Sequence, residues 1–175
     1  AFPSEKSGVM VTSDLEGRGR QYLTIAVNEG VGGAVDGQAA ESLRVDRKNG
    51  DIRLLAQATA KTRRVLDFAG GLREVPTSGR DRVLEDGEIR ELVRLAGEVD
   101  RAMKMVPGSH VSGETLPADV EFGFNGGRLA LLQIRPFVES ASARRSQYLA
   151  SLDAQSKRPG AAEILVPLDQ IPLGG

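Results

Sequence analysis

The 175-residue chain has no cysteine, no tryptophan and a single histidine, and only 4% of its residues are aromatic. Without cysteine there is no disulfide, no thiolate metal site and no cysteine nucleophile, and a reducing compartment, the cytoplasm, is the expectation. An excess of one charge is also missing. The 23 Lys and Arg residues stand against 24 Asp and Glu, a net charge of −1, so no global field draws the chain to nucleic acid or to an anionic membrane. No apolar run approaches the ~18 residues needed to span a bilayer, and the opening AFPSEK lacks the basic-then-apolar layout of a signal peptide. The chain starts at Ala1, and its first methionine, Met10, lies inside the first apolar run, so an upstream stretch is expected to have been removed.

The remaining composition is that of a globular domain, 40% hydrophobic and 27% charged. Such a chain can bury one core and carry an appendage. Ser7–Asp14 has the β-branched character of a strand, followed by a turn at Glu16–Gly19. Gln21–Gly30 alternates, with Leu23, Ile25 and Val27 on one side, and pairs with the first strand as a hairpin. Gly30–Gly37 holds four glycines in eight residues and is suited to bringing backbone N–H groups against a ligand. Glu41–Gln57 reads as two strands around Asn49-Gly50, a strong hairpin signal. Thr59–Asp86 shows no period and is expected to be irregular. From Glu88 to Val106, Ile89, Leu92, Val93, Ala96, Val99, Met103 and Val106 recur at helical spacing, with Asp86 and Glu88 near the positive end of the helix dipole. Pro107–Pro117 reads as a loop, Glu139–Gln155 as a second helix, and Arg158–Gly175 as a Pro/Gly-rich tail. The domain is expected to end near residue 138, with 139–175 as the appendage.

Asp119–Pro136, DVEFGFNGGRLALLQIRP, carries the chemistry. It consists of two apolar runs around a glycine turn, with Glu121, Gln133 and Arg135 inside the runs. A three-residue loop, Asn125-Gly126-Gly127, pairs Glu121 with Leu131 and puts Glu121, Gln133 and Arg135 on one face. The other face then collects Val120, Phe122, Phe124, Ala130, Leu132 and Ile134, and Gly123 leaves room beside the polar trio. A hard cation such as Mg²⁺ takes oxygen ligands from one or two carboxylates and from substrate phosphates, and Arg neutralises a phosphoryl group in transfer. A Glu–Arg ion pair on a solvated face fits the same spacing, and periodicity leaves both readings open.

The hairpin resembles the closing motif of the nucleotide-binding domain in the phosphoenolpyruvate synthase and pyruvate phosphate dikinase family, where a D-[IV]-E-[FW] strand leads to L-Q-x-R-P. Asp119-Val120-Glu121-Phe122 and Leu132-Gln133-Ile134-Arg135-Pro136 match it. Ser7-Gly8-Val9-Met10 through Asp14 is similar to the family's S-G-V-M-F-T-x-D strand, and Gly30-Val31-Gly32 sits where the family has G-L-G. Lys61 falls near a recurring lysine, and Leu84–Val99 is similar to a family helix. The matches keep their order from Ser7 to Phe137.

The resemblance implies an α+β, ATP-grasp-like subdomain with a mainly antiparallel sheet and packed helices, the C-terminal part of a domain whose two halves close on ATP. It implies that Glu121 and Gln133 hold Mg²⁺–ATP, that Arg135 contacts the transferring phosphate, and that Gly30 and Gly32 line the cofactor loop. It also implies a kinase or dikinase whose acceptor is a histidine on a separate swivelling domain, with a third domain passing that phosphate to pyruvate. Relatives phosphorylate water, glucans or an antibiotic instead. There are departures from the family pattern. Gly33 stands where the family loop carries a glutamate; Glu29, one residue before the glycines, could substitute, but a surface role is the expectation for it. The half of the domain supplying further phosphate-binding Lys and Arg is not in this chain, which by itself is then expected to be inactive. His110 lacks the phosphohistidine setting and is a plain loop residue. Arg63-Arg64 and Arg144-Arg145 read as surface, and Asp14 and Thr12 as a strand end beside the site. A different class of reading, a non-catalytic ATP-grasp-derived binding module, starts from the same departures.

Overall fold

The computed structural model describes residues 2–14, 19–34, 38–111 and 113–138. Six strands form one antiparallel sheet in the order β10-β9-β1-β2-β3-β4. They are β1 (Lys6–Val11), β2 (Tyr22–Glu29), β3 (Glu41–Asp46), β4 (Ile52–Ala56), β9 (Ala118–Asn125) and β10 (Arg128–Pro136). Neighbouring residues in a strand point to opposite sides, and these six segments place their large apolar side chains on one side. Met10, Leu23, Ile25, Val27, Leu43, Val45, Val120, Phe122 and Phe124 are buried there. The helix α1 (Asp86–Met103) covers that side with Ile89, Leu92, Ala96, Val99 and Met103, so the core is a two-layer sandwich of sheet and helix. The architecture is α+β and mainly antiparallel, in keeping with an ATP-grasp-like subdomain.

The start of α1 is tied down at several points. Glu85 caps it in a reciprocal capping box with Glu88, which satisfies two orphan amides. Glu88 also takes the Lys6 ammonium at 2.7 Å. Glu41 is buried at the head of β3, and its carboxylate accepts the Val83 and Leu84 amides at 2.8 and 3.1 Å. Arg47 reaches Asp100 at 2.6 Å further along the helix.

The segment expected to be irregular contains a hairpin, β5 (Thr62–Leu66) with β6 (Leu72–Pro76), forming a sheet of its own. It escaped the sequence reading because a ribbon with no buried side shows no apolar alternation. Phe68 at its tip is fully exposed. Pro107–Pro117 carries a smaller pair, β7 (His110–Val111) and β8 (Glu114–Thr115). The helix expected over 139–155 and the tail lie outside the described residues, so α1 is the one helix among those described.

Candidate functional site

The β9–β10 hairpin departs from the expected three-residue loop. Asn125 pairs with Arg128, leaving a two-residue turn of Gly126 and Gly127. Both glycines have positive φ, 56° and 72°, the conformation that matches the twist of flanking strands and that side-chain-bearing residues resist. The register then shifts between Leu131 and Gln133, so the extra residue sits in a bulge at Leu132 and not in the turn. Past the bulge, Gln133 lies opposite Glu121, and Arg135 opposite Asp119.

Directly paired residues share a face. Glu121, Gln133 and Arg135 therefore do lie on one side, as expected, although Glu121 pairs with Gln133 and not with Leu131. The apolar side differs too. Leu129, Leu131 and Ile134 pair with Phe124, Phe122 and Val120, whereas Ala130 pairs with Gly123 on the polar side and Leu132 occupies the bulge. Gly123 leaves no space for a ligand. A Cβ there would come 2.3 Å from Ser4 Oγ and 3.1 Å from the Phe2 ring, so the missing side chain accommodates the chain's own N-terminal segment.

Arg135 is not a lone cation. Its Nε and Nη2 both reach one oxygen of Asp119 at 2.7 Å. Asp119, and after it Glu121, raises the Arg135 pKa further above its already high ordinary value, so the guanidinium stays charged at any working pH. The Arg135 side chain is 57% exposed and Asp119 only 14%. The carboxylate thus anchors the guanidinium while its remaining N–H groups stay accessible. Asp119 opens the D-V-E-F motif, and the sequence signal for its role is its two-residue offset from Glu121, which puts both on the same face.

The glycine turn lies elsewhere. Val9 pairs with both Glu121 and Ala26, and Gly30 follows Ala26 by four residues, about 13 Å along the strand direction. The turn's amides are bonded internally. Gly30 donates to Glu5 O, Val31 to Arg64 O, and Gly32 to Ser7 Oγ. A Cβ at Gly33 would come 2.7 Å from Gln38 Oε1 and 2.9 Å from Asn28 Cβ, so no glutamate side chain fits there as the loop stands. Glu29 is neither free nor at the surface. It accepts the Ser78 backbone N–H and hydroxyl and pairs with Arg63 at 3.3 Å, clamping the β5–β6 hairpin to the sheet.

The other candidates fall into structural roles. Thr12 Oγ1 accepts the Ala118 amide at 2.9 Å. Asp14 is buried 4.0 Å from the Arg44 guanidinium. Lys61 is exposed beside β5. His110 sits between the Ser109 and Thr115 hydroxyls at 3.2 and 3.3 Å. Among the described residues, no group of three or more His, Asp and Glu side chains converges to hold a metal ion, and no helix is long and apolar enough to cross a membrane.

Residues 1–156 match the family model of the pyruvate phosphate dikinase AMP/ATP-binding domain. The chain belongs to that family. No curated protein matches it. As a member of the pyruvate phosphate dikinase AMP/ATP-binding family, it is an ATP-binding part of a related phosphotransferase, and the paired polar residues of β9 and β10 are the constellation on which a nucleotide reading can be built.

Proposed function

We propose that the polar side of β9 and β10 holds the phosphates of Mg²⁺–ATP for phosphoryl transfer. The observation that supports this most is the Glu121–Gln133 pair beside the Asp119–Arg135 pair on one face, within a chain of an ATP-binding family. The donor set suits a hard cation. One carboxylate and one carboxamide are oxygen ligands, and Mg²⁺ takes the rest of its shell from phosphates and water. Bound there, the cation would neutralise phosphate charge. Glu121 and Gln133 would hold the cation and so orient the nucleotide, and Arg135, held by Asp119, would meet the phosphoryl group as negative charge shifts in the transition state. The glycine turn at Gly30 and Gly32 keeps a cofactor role only if nucleotide entry frees its amides from Glu5, Arg64 and Ser7.

On this reading the chain is the C-terminal part of its nucleotide domain, working in the cytoplasm with a second half that completes the ATP site and with a histidine-bearing domain as acceptor. The test is ATP turnover by the intact protein. Glu121→Ala and Arg135→Ala should each lower kcat/KM by about 100-fold or more with the fold intact, and unchanged turnover in either overturns the assignment.

A second reading, a non-catalytic binding module, draws on the packing around Gly33, which excludes the family's loop carboxylate, and on the engagement of Glu29. Calorimetric titration of Mg²⁺–ATP into the intact protein separates the two. Heat and a thermal shift support the enzyme reading, and neither effect supports the module.

A further inference from the structure

The apolar side of the sheet is wider than its cover. Six strands about 4.8 Å apart span about 24 Å, whereas one helix covers about 10 Å. The strip left uncovered by the described residues lies at β10. Leu131 and Ile134 pair with core residues yet are 46% and 37% exposed, and Leu95 and Leu129 at the core's margin are only half-buried. An open groove of about 470 Å³ runs there between α1 and the first half of β10. A nine-residue edge strand with leucines at 129, 131 and 132 is also a hazard for unwanted strand pairing unless something covers it.

We propose that this strip is the docking surface for residues 139–155 of the same chain. The chain leaves β10 at Pro136, where the Phe137 amide is fixed to Pro117 O at 2.7 Å, so the segment starts at the foot of the strip. Its apolar residues Ala141, Tyr148, Leu149 and Leu152 follow helical spacing. A helix over 139–155 is about 25 Å long, close to the roughly 27 Å of β10, and would run back along the strand antiparallel to α1. Charge fits as well. The helix wall of the groove offers Glu91 and Glu98 with Arg94 between, and the segment offers Arg144 and Arg145 with Glu139 and Asp153. The family match runs on through residue 156 and stops where the segment does. The consequence reaches the polar side, because β10 carries Gln133 and Arg135. Packing against its apolar side fixes the bulge that sets them opposite Glu121 and Asp119. The inference stands on packing alone and does not depend on the nucleotide reading.

The absence of native cysteine makes the test clean. In the full chain, mild oxidation of the Leu131→Cys/Leu149→Cys pair should give a disulfide within one chain, read by intact and peptide mass. Ala130→Cys/Leu149→Cys, with the first cysteine on the opposite side of β10, should not. Equal yields from the two pairs, no bond in the first, or a bond between chains, which would mean that a second copy covers the strip, overturns the proposal. Should the double variant fail to fold, hydrogen exchange on the native sequence still decides. Ending the chain at Val138 should speed exchange of the β10 amides roughly tenfold or more while β2 stays unchanged. Equal β10 rates overturn it.

Discussion

Asp119 illustrates what one residue does in this site. A guanidinium on an exposed strand samples many rotamers, and a carboxylate opposite it removes most of that freedom before a phosphate arrives. Asp119→Asn keeps the shape but weakens the anchor to a neutral hydrogen bond. It should lower kcat of the intact protein by roughly tenfold while leaving KM for ATP within about twofold, since in the proposed site the ground-state phosphates are also held through Glu121 and Gln133. An equal fall for Asp119→Asn and for a Val9→Ala control on the same face would mean that Asp119 acts only in folding. Asp46 is a second residue with a readable signature. The Lys48 amide first, then the Gln21 side chain, hold its carboxyl below the ordinary aspartate range. A depressed pKa in the folded state stabilises the protein above the unfolded value and loses that contribution as pH falls through the folded one. Below about pH 4 the wild-type melting temperature should therefore drop more steeply than that of Asp46→Asn. Parallel curves for the two would refute the linkage.

At the scale of the element, the hairpin depends on parity. A two-residue turn alone would send Gln133 and Arg135 to the core side, and the bulge at Leu132 restores them to the polar side. Deleting Leu132 should therefore abolish Mg²⁺–ATP binding by calorimetry, because each residue beyond it changes sides. The strand would also present a glutamine and an arginine to the core. Retained binding would show that the register recovers elsewhere. The other element-scale dependence is the approach to α1, where a single buried carboxylate serves two backbone amides. Glu41→Ala leaves both amides unpaired in the interior and should destabilise the fold by about 2–4 kcal/mol in urea titration, whereas Glu41→Gln, which keeps one acceptor, should cost less. An equal cost for the two would mean that the volume of the side chain matters and its hydrogen bonds do not.

Across the whole molecule, the elements with a buried side were legible in advance. Gln21–Gly30, Glu41–Gln57 and the helix from Glu88 announce themselves because burial against one core imposes a period of two or 3.6 residues. The β5–β6 ribbon was not legible, since neither strand puts a side chain into the buried core and its order comes from the Glu29 clamp and the Val31–Arg64 hydrogen bond, contacts made far along the chain. The polar trio was legible as a set of residues on one face. The route to it was not, because a glycine pair permits either a two- or a three-residue turn, and bulges leave no local mark when leucines run consecutively. The sequence by itself determined the alternation, the helix stripe and the polar residues that interrupt an apolar hairpin, all of which are local consequences of side-chain period. Only the tertiary structure decided that the extra residue sits at Leu132, that Asp119 holds Arg135, that Gly123 yields to Ser4 and that the glycine turn spends its amides on its own neighbours. Each of these is a contact between segments, and its energy depends on what the rest of the fold brings alongside.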